Sequence, residues 1–272
     1  WLVNGKAIAQ NHMIIQGISP QAGGAQINLE KFNAAVAYNS VGNQEAREQF
    51  SQAAISAIGA QGIPNELKMQ FVQKAYEAMQ VQSADAPRSA RFPFFSGILL
   101  DHAGLYADAK SVLEKAHELS PGKQAILFEL GLNAFARGQN DEAVSYFKKA
   151  QELAPEFRDA ELYYIAALAR AGKDAEADER LKPLIAADTA TDARISSAYA
   201  ARGRFDKIAE IWSAHIAKKP DDIEARFVLA GAYYSAGNAA QAIKELEAAK
   251  IASPGSAAQA DSLIQQVKSG VK

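Results

Sequence analysis

Four histidines, His12, His102, His117 and His215, are the side chains best suited to metal or proton chemistry at neutral pH, but they are scattered along the 272 residues with no partner at metal-ligand spacing. No HExxH, phosphate-loop, GxSxG or GxGxxG pattern occurs, and Gly122-Lys123 and Gly172-Lys173 are read as turns. The chain has no cysteine, which excludes disulfides and thiolate zinc sites. Carboxylates are plentiful, yet Asp221-Asp222 and the Asp174, Glu176, Asp178 group fall in turns and first helical turns, where acidic side chains complement the helix dipole. These patterns predict no catalytic residues, no metal site and no cofactor site, and place His117 and His215 in packing or surface roles.

The elements that would carry such residues are helices. Residues Gln124 to Glu156 form two amphipathic stretches: Leu127, Leu130, Leu132, Ala134 and Phe135 line the first, and Ala143, Tyr146, Phe147, Ala150 and Leu153 the second. Gly138 stops the first and Pro155 ends the second, and neither could bury its apolar face alone. An apolar fraction of 49% with 22% charged residues describes a folded chain, and its Ala, Leu, Glu, Lys and Gln content favours helix with no sheet. The net charge of -2 comes from interspersed signs, giving no footprint for nucleic acid or a polybasic membrane patch. No run reaches the roughly 18 to 20 apolar residues of a membrane helix.

A repeat of fixed length organises these helices. Gly104, Gly138 and Gly172 are 34 residues apart, as are Gly203 and Gly237, and the step from Gly172 to Gly203 is 31. Pro121 and Pro155, then Pro220 and Pro254, keep the same 34-residue spacing. Ala109, Ala143, Ala177 and Ala242 mark a small position early in the second helices, with Ile208 the exception, and Leu113, Phe147, Leu181, Trp212 and Leu246 a bulky one four residues later. A helix pair of this period, with Leu127, Leu130-Gly131, Ala143, Phe147, Ala150 and Pro155 at its marked positions, resembles the tetratricopeptide repeat.

That resemblance implies an all-α, right-handed superhelical solenoid of antiparallel helix pairs. Five units are read, at 90–123, 124–157, 158–188 (shortened), 189–222 and 223–256. Before them, 1–89 is a divergent part of about two irregular helix pairs: Trp1 to Gln16 with Leu29 to Tyr38, then Asn43 to Ile58 with Pro64 to Gln80. After them, 257–272 is a capping helix and tail, with Leu263, Ile264 and Val267 on one side. Pro183 inside a second helix predicts a kinked or shortened helix there, with the three-residue loss either bending the array or absorbed by a neighbouring turn.

Tetratricopeptide arrays take a protein or peptide ligand in a concave groove lined by first helices. The positions that resemblance assigns to the groove are Phe94, Ile98, Phe128, Leu132, Phe135, Leu162, Arg170, Phe227 and Tyr234, although the rings among them could instead pack on the next unit. Arrays that clamp a carboxylate need asparagine where this chain has Ile98, Leu132, Ala166, Ser197 and Gly231, so such a clamp is not expected.

The segments from Trp1 to Ala7, Asn28 to Phe32 and Tyr38 to Glu48, with Arg91-Phe92-Pro93, resemble the soluble tail of bacterial O-antigen ligase-like membrane proteins. This implies a non-catalytic, extracytoplasmic scaffold, excised from a longer protein and tethered through a polytopic membrane region before residue 1. Its partners would be proteins, with glycan contact through rings such as Tyr233 and Tyr234 conceivable. The alternative is a freestanding cytoplasmic adaptor.

Overall fold

The computed structural model describes residues 2–270; Trp1, where the first helix was expected to begin, and residues 271–272 of the expected tail lie outside them. The described residues are helical, with no strand among them. They divide into two compact units that meet between Gln139 and Asn140 in the chain, 2–139 and 140–270.

The first unit contains α1 (Leu2–Ile18), α2 (Ala25–Ala37), α3 (Asn43–Gly59), α4 (Asn65–Asp85), α5 (Arg91–His102), α6 (Tyr106–Leu119) and α7 (Gln124–Ala136). Consecutive helices pair as α1 with α2, α3 with α4 and α5 with α6. The first members also meet in series, α1 on α3, α3 on α5 and α5 on α7. An aromatic spine fills the space between the early pairs. Phe32 of α2 stacks on Phe50 of α3 with centroids 5.0 Å apart, and Phe71 of α4 meets Phe50 edge-on at 6.3 Å. All three rings are buried, so truncating Phe50 should cost about 3–5 kcal/mol.

Where helices approach most closely the chain uses glycine. A Cβ on Gly97 of α5 would lie 2.4 Å from Cγ of Leu113 on α6, so the absence of a side chain sets that contact. Gly97 and Gly131 are themselves 34 residues apart.

Polar joints fix the divergent pairs. Gln10 of α1 is 0% exposed; its Nε2 donates to the Ala35 carbonyl at 2.8 Å and to Asn43 Oδ1 at 2.9 Å, and its Oε1 accepts from Ser40. Arg47 donates to Gln82 and Asp85, and Arg91 pairs with Glu48 at 2.7 Å. Ser40, Asn43, Arg47 and Glu48, part of the segment that gives the amino-terminal region its distinctive sequence, are therefore occupied in holding helices together.

The second unit contains α8 (Asn140–Leu153), α9 (Arg158–Ala171), α10 (Asp174–Ala186), α11 (Ala193–Ala200), α12 (Phe205–Lys218), α13 (Ile223–Ser235), α14 (Ala239–Ala252), a 3-10 turn at Pro254–Ser256, and α15 (Ala257–Ser269). The ruler glycines 104, 138, 172, 203 and 237 all sit at positive φ across the two units. At Gly172, φ 79°, the backbone leaves α9 in the left-handed conformation and its N–H bonds the Ala169 carbonyl, a geometry that strains most L-residues. Asp192, Asp222 and Asn238 cap α11, α13 and α14 by accepting backbone N–H bonds.

The three-residue deletion does not shorten the helix that carries Pro183. α10 runs 13 residues through it, and the shortened element is α11, with 8 residues. Side chains reinforce this junction. Lys218 donates to the Ile185 and Ala186 carbonyls at the end of α10, Arg202 bonds the Ala169 carbonyl and Asp174, Arg204 also meets Asp174, and Arg194 links Asp192 to Asp159. At the far end, Ile264 and Ala260 of α15 are buried against Ala230 and Leu246, with Leu263, Val267 and Phe227 packed beside them.

Candidate functional site

Each predicted groove residue has a definite place in its own unit. In the first, Phe94, Ile98, Phe128, Leu132 and Phe135 are half-buried on α5 and α7. In the second, Leu162 is 2% exposed and belongs to the core rather than to a groove. The position that resemblance gives to the groove is buried here because α9 is enclosed all round, with Leu162, Tyr164, Ile165, Ala166, Leu168 and Ala169 among its buried residues. Arg170 is exposed, Tyr234 half-buried, and Phe227 packs beside the α15 cluster.

Of these residues, Ile98 and Leu132 come together. They stand one repeat apart on α5 and α7 and line a recess of about 210 Å³ with Asp101, His102, Tyr106 and Glu129. The two carboxylates were not singled out from the sequence. The available signal was Glu129 itself, the one charged residue in the run AILFELGLNAF.

Asn133, 1% exposed, sets the position of the recess wall. Its Nδ2 donates to Asp101 Oδ1 at 2.6 Å and to the Tyr106 carbonyl at 2.8 Å, while its Oδ1 accepts from Arg137 Nε at 2.8 Å. Asp101 Oδ2 is out of solvent and without a hydrogen-bond partner. Glu129 makes no hydrogen bond or ion pair among the described residues. Burial raises the Glu129 carboxyl to about 7, and the nearby Asp101 charge pushes in the same direction. Burial also raises Asp101, against the Asn133 hydrogen bond and the charges of His102 and Arg137. A recess with apolar walls and two carboxylates that form no ion pair among the described residues can bind a positive group.

In the second unit, Ser196, Ser197, Ala200, Phe205, Val228 and Gly231 line a shallow recess of about 240 Å³. Ser197 and Gly231 are two of the positions where a carboxylate clamp would need asparagine. Among the described residues no group of three or more His, Asp or Glu side chains could hold a metal ion, and no helix is long and apolar enough to cross a membrane.

One tetratricopeptide repeat family model matches residues 134–202 and 199–267, and a second matches 97–156. No curated protein matches the chain. Among solved structures, a tetratricopeptide repeat protein from Parabacteroides merdae is 16% identical, covering 73% of this chain and 78% of that one with a TM-score of 0.51. MamA from Desulfovibrio magneticus is 16% identical over 69% of this chain and 98% of that one, with a TM-score of 0.48. YrrB, described as a tetratricopeptide repeat protein with an unusual peptide-binding site, is 18% identical over 83% and 94%, with a TM-score of 0.41. The 34-residue ruler, the antiparallel helix pairs and the family models that span residues 97–267 agree: the chain belongs to the tetratricopeptide repeat family.

Proposed function

We propose that this chain is a non-catalytic protein-interaction scaffold that holds a peptide segment of a partner protein on its first-helix face. The observation that carries this reading is the recess shared by Ile98 and Leu132, equivalent positions on successive first helices that leave apolar surface half-exposed beside the unpaired Asp101 Oδ2. Phe94, Phe128 and Phe135 on the same two helices supply ring area at low entropic cost. A photo-crosslinking residue at Leu132 should capture the partner, and one at exposed Lys115 on α6 should not. Equal capture at both would contradict the reading. Phe128→Ala with Phe135→Ala should weaken partner binding while keeping the helical circular dichroism signal.

The resemblance of Asn28 to Phe32, Tyr38 to Glu48 and Arg91 to Pro93 to the tails of O-antigen ligase-like proteins supports a location outside the cytoplasm, beside a membrane-embedded region. These 272 residues contain no cysteine, so comparing the parent protein with a variant carrying one added thiol isolates this region. A single cysteine introduced at exposed Ser235 of the native protein should react with an impermeant thiol reagent in intact cells. Labelling only after lysis would favour the cytoplasmic adaptor instead.

A further inference from the structure

We propose that the recess between α5 and α7 is a socket for a basic side chain, the ammonium of a lysine or the guanidinium of an arginine in the partner peptide. The proposal rests on the reading of the first-helix face as a peptide site. Charge selects the occupant. Asp101 and Glu129 line one small volume, and neither has an ion-pair partner among the described residues. Asp101 Oδ2 is buried with its lone pairs unused, while Asp101 Oδ1 is already held by Asn133.

The cations nearby do not fill this role. Arg137 Nε is engaged with Asn133 Oδ1, and His102 is an exposed residue at the end of α5. An anionic ligand would be repelled by Asp101 and would offer no donor to either carboxyl, and an apolar one would remove the remaining water from Glu129 while leaving Asp101 Oδ2 unpaired. A lysine or arginine answers both demands: its methylene stem lies along Ile98 and Leu132, and its head supplies the donors that the carboxylates lack. This is the reverse of a carboxylate clamp, and it accounts for apolar residues standing at 98 and 132, where the stem needs a wall and not a donor.

The test uses the full chain, with methyl NMR signals of Ile98 and Leu132 as reporters. The probes are blocked pentapeptides with central lysine, arginine, norleucine or glutamate flanked by alanines. Lysine and arginine peptides should give saturable shifts, with norleucine at least fivefold weaker and glutamate giving none. Glu129→Gln should weaken the lysine peptide at least fivefold with unchanged circular dichroism, and Asp101→Asn provides a second, independent removal of charge. Norleucine binding as tightly as lysine, or lysine binding unaffected by Glu129→Gln, would overturn the socket while leaving the peptide site standing. No saturable shift with any peptide would also overturn the socket, and the cross-linking at Leu132 then judges the wider reading separately.

Discussion

Nδ1 of His215 lies 2.6 Å from Oδ1 of Asp188, and the same ring presents Nε2 to Asp222 Oδ2 at 3.0 Å. Asp188 follows the end of α10 at φ 57° and Asp222 caps α13, so one imidazole on α12 links the end of α10 to the start of α13. The ring donates to both carboxylates only when it carries both protons. The link stands where the 31-residue step lacks the proline that ends the other repeats, and Lys219 adds a third contact to Asp188 at 2.9 Å. His215 is 6% exposed, so His215→Ala would leave two carboxylates without their partner; a loss of about 2–3 kcal/mol is expected from urea unfolding midpoints.

The acid side of the stability profile follows from the same contacts. The hydrogen bond from Lys219, then that from His215, holds the Asp188 carboxyl below its ordinary value. The Ala225 N–H, then His215, does the same for Asp222. Because the folded pKa values are depressed, this stabilisation is fully present above the unfolded carboxylate value of about 4 and is lost as pH falls through the folded values. Asp188→Asn should flatten the decline in melting temperature below pH 4; an unchanged acid limb would contradict this.

Glu129 titrates in the opposite sense. Its folded value of about 7 lies above the ordinary 4.5, so the folded state binds the extra proton and stability falls as pH rises between those values. Glu129→Gln should remove that slope and stabilise the chain at pH 8 by roughly 1 kcal/mol, after discounting for partial exposure. Thermal melts at pH 5 and pH 8 measure it directly.

Gly97 offers a test of packing independent of charge. Gly97→Ala forces the Leu113 side chain or the α5–α6 backbone to move, and a cost of about 1–3 kcal/mol is expected despite the gain in helix propensity. An unchanged or higher melting temperature would show that Leu113 relaxes freely.

The fold was legible because its signals are local. A glycine that must take positive φ at Gly104 or Gly172 and a small residue such as Ala143 where two helices meet repeat with the period whatever packs around them. Pro183 misled for the converse reason: its cost is local, but the place where three residues are lost, α11, is set by tertiary contacts from Lys218, Arg202 and His215. Ile98 and Leu132 could be placed on one surface by their equivalent positions in the repeat, as the resemblance to tetratricopeptide arrays implies. Glu129 and Asp101 could not, since a lone carboxylate in an apolar run acquires meaning only once Asn133 and the neighbouring helix enclose it.

The most direct measurement is the affinity of a peptide, selected on the full chain from a random displayed library, for the wild type and for Leu132→Glu by fluorescence anisotropy. Leu132 is half-buried at the recess and Lys115 is exposed on α6, so Lys115→Glu serves as the control. A first-helix binding face requires at least a tenfold loss of affinity for Leu132→Glu, with an unchanged circular dichroism spectrum and no loss for Lys115→Glu. Equal affinity for all three proteins would contradict it.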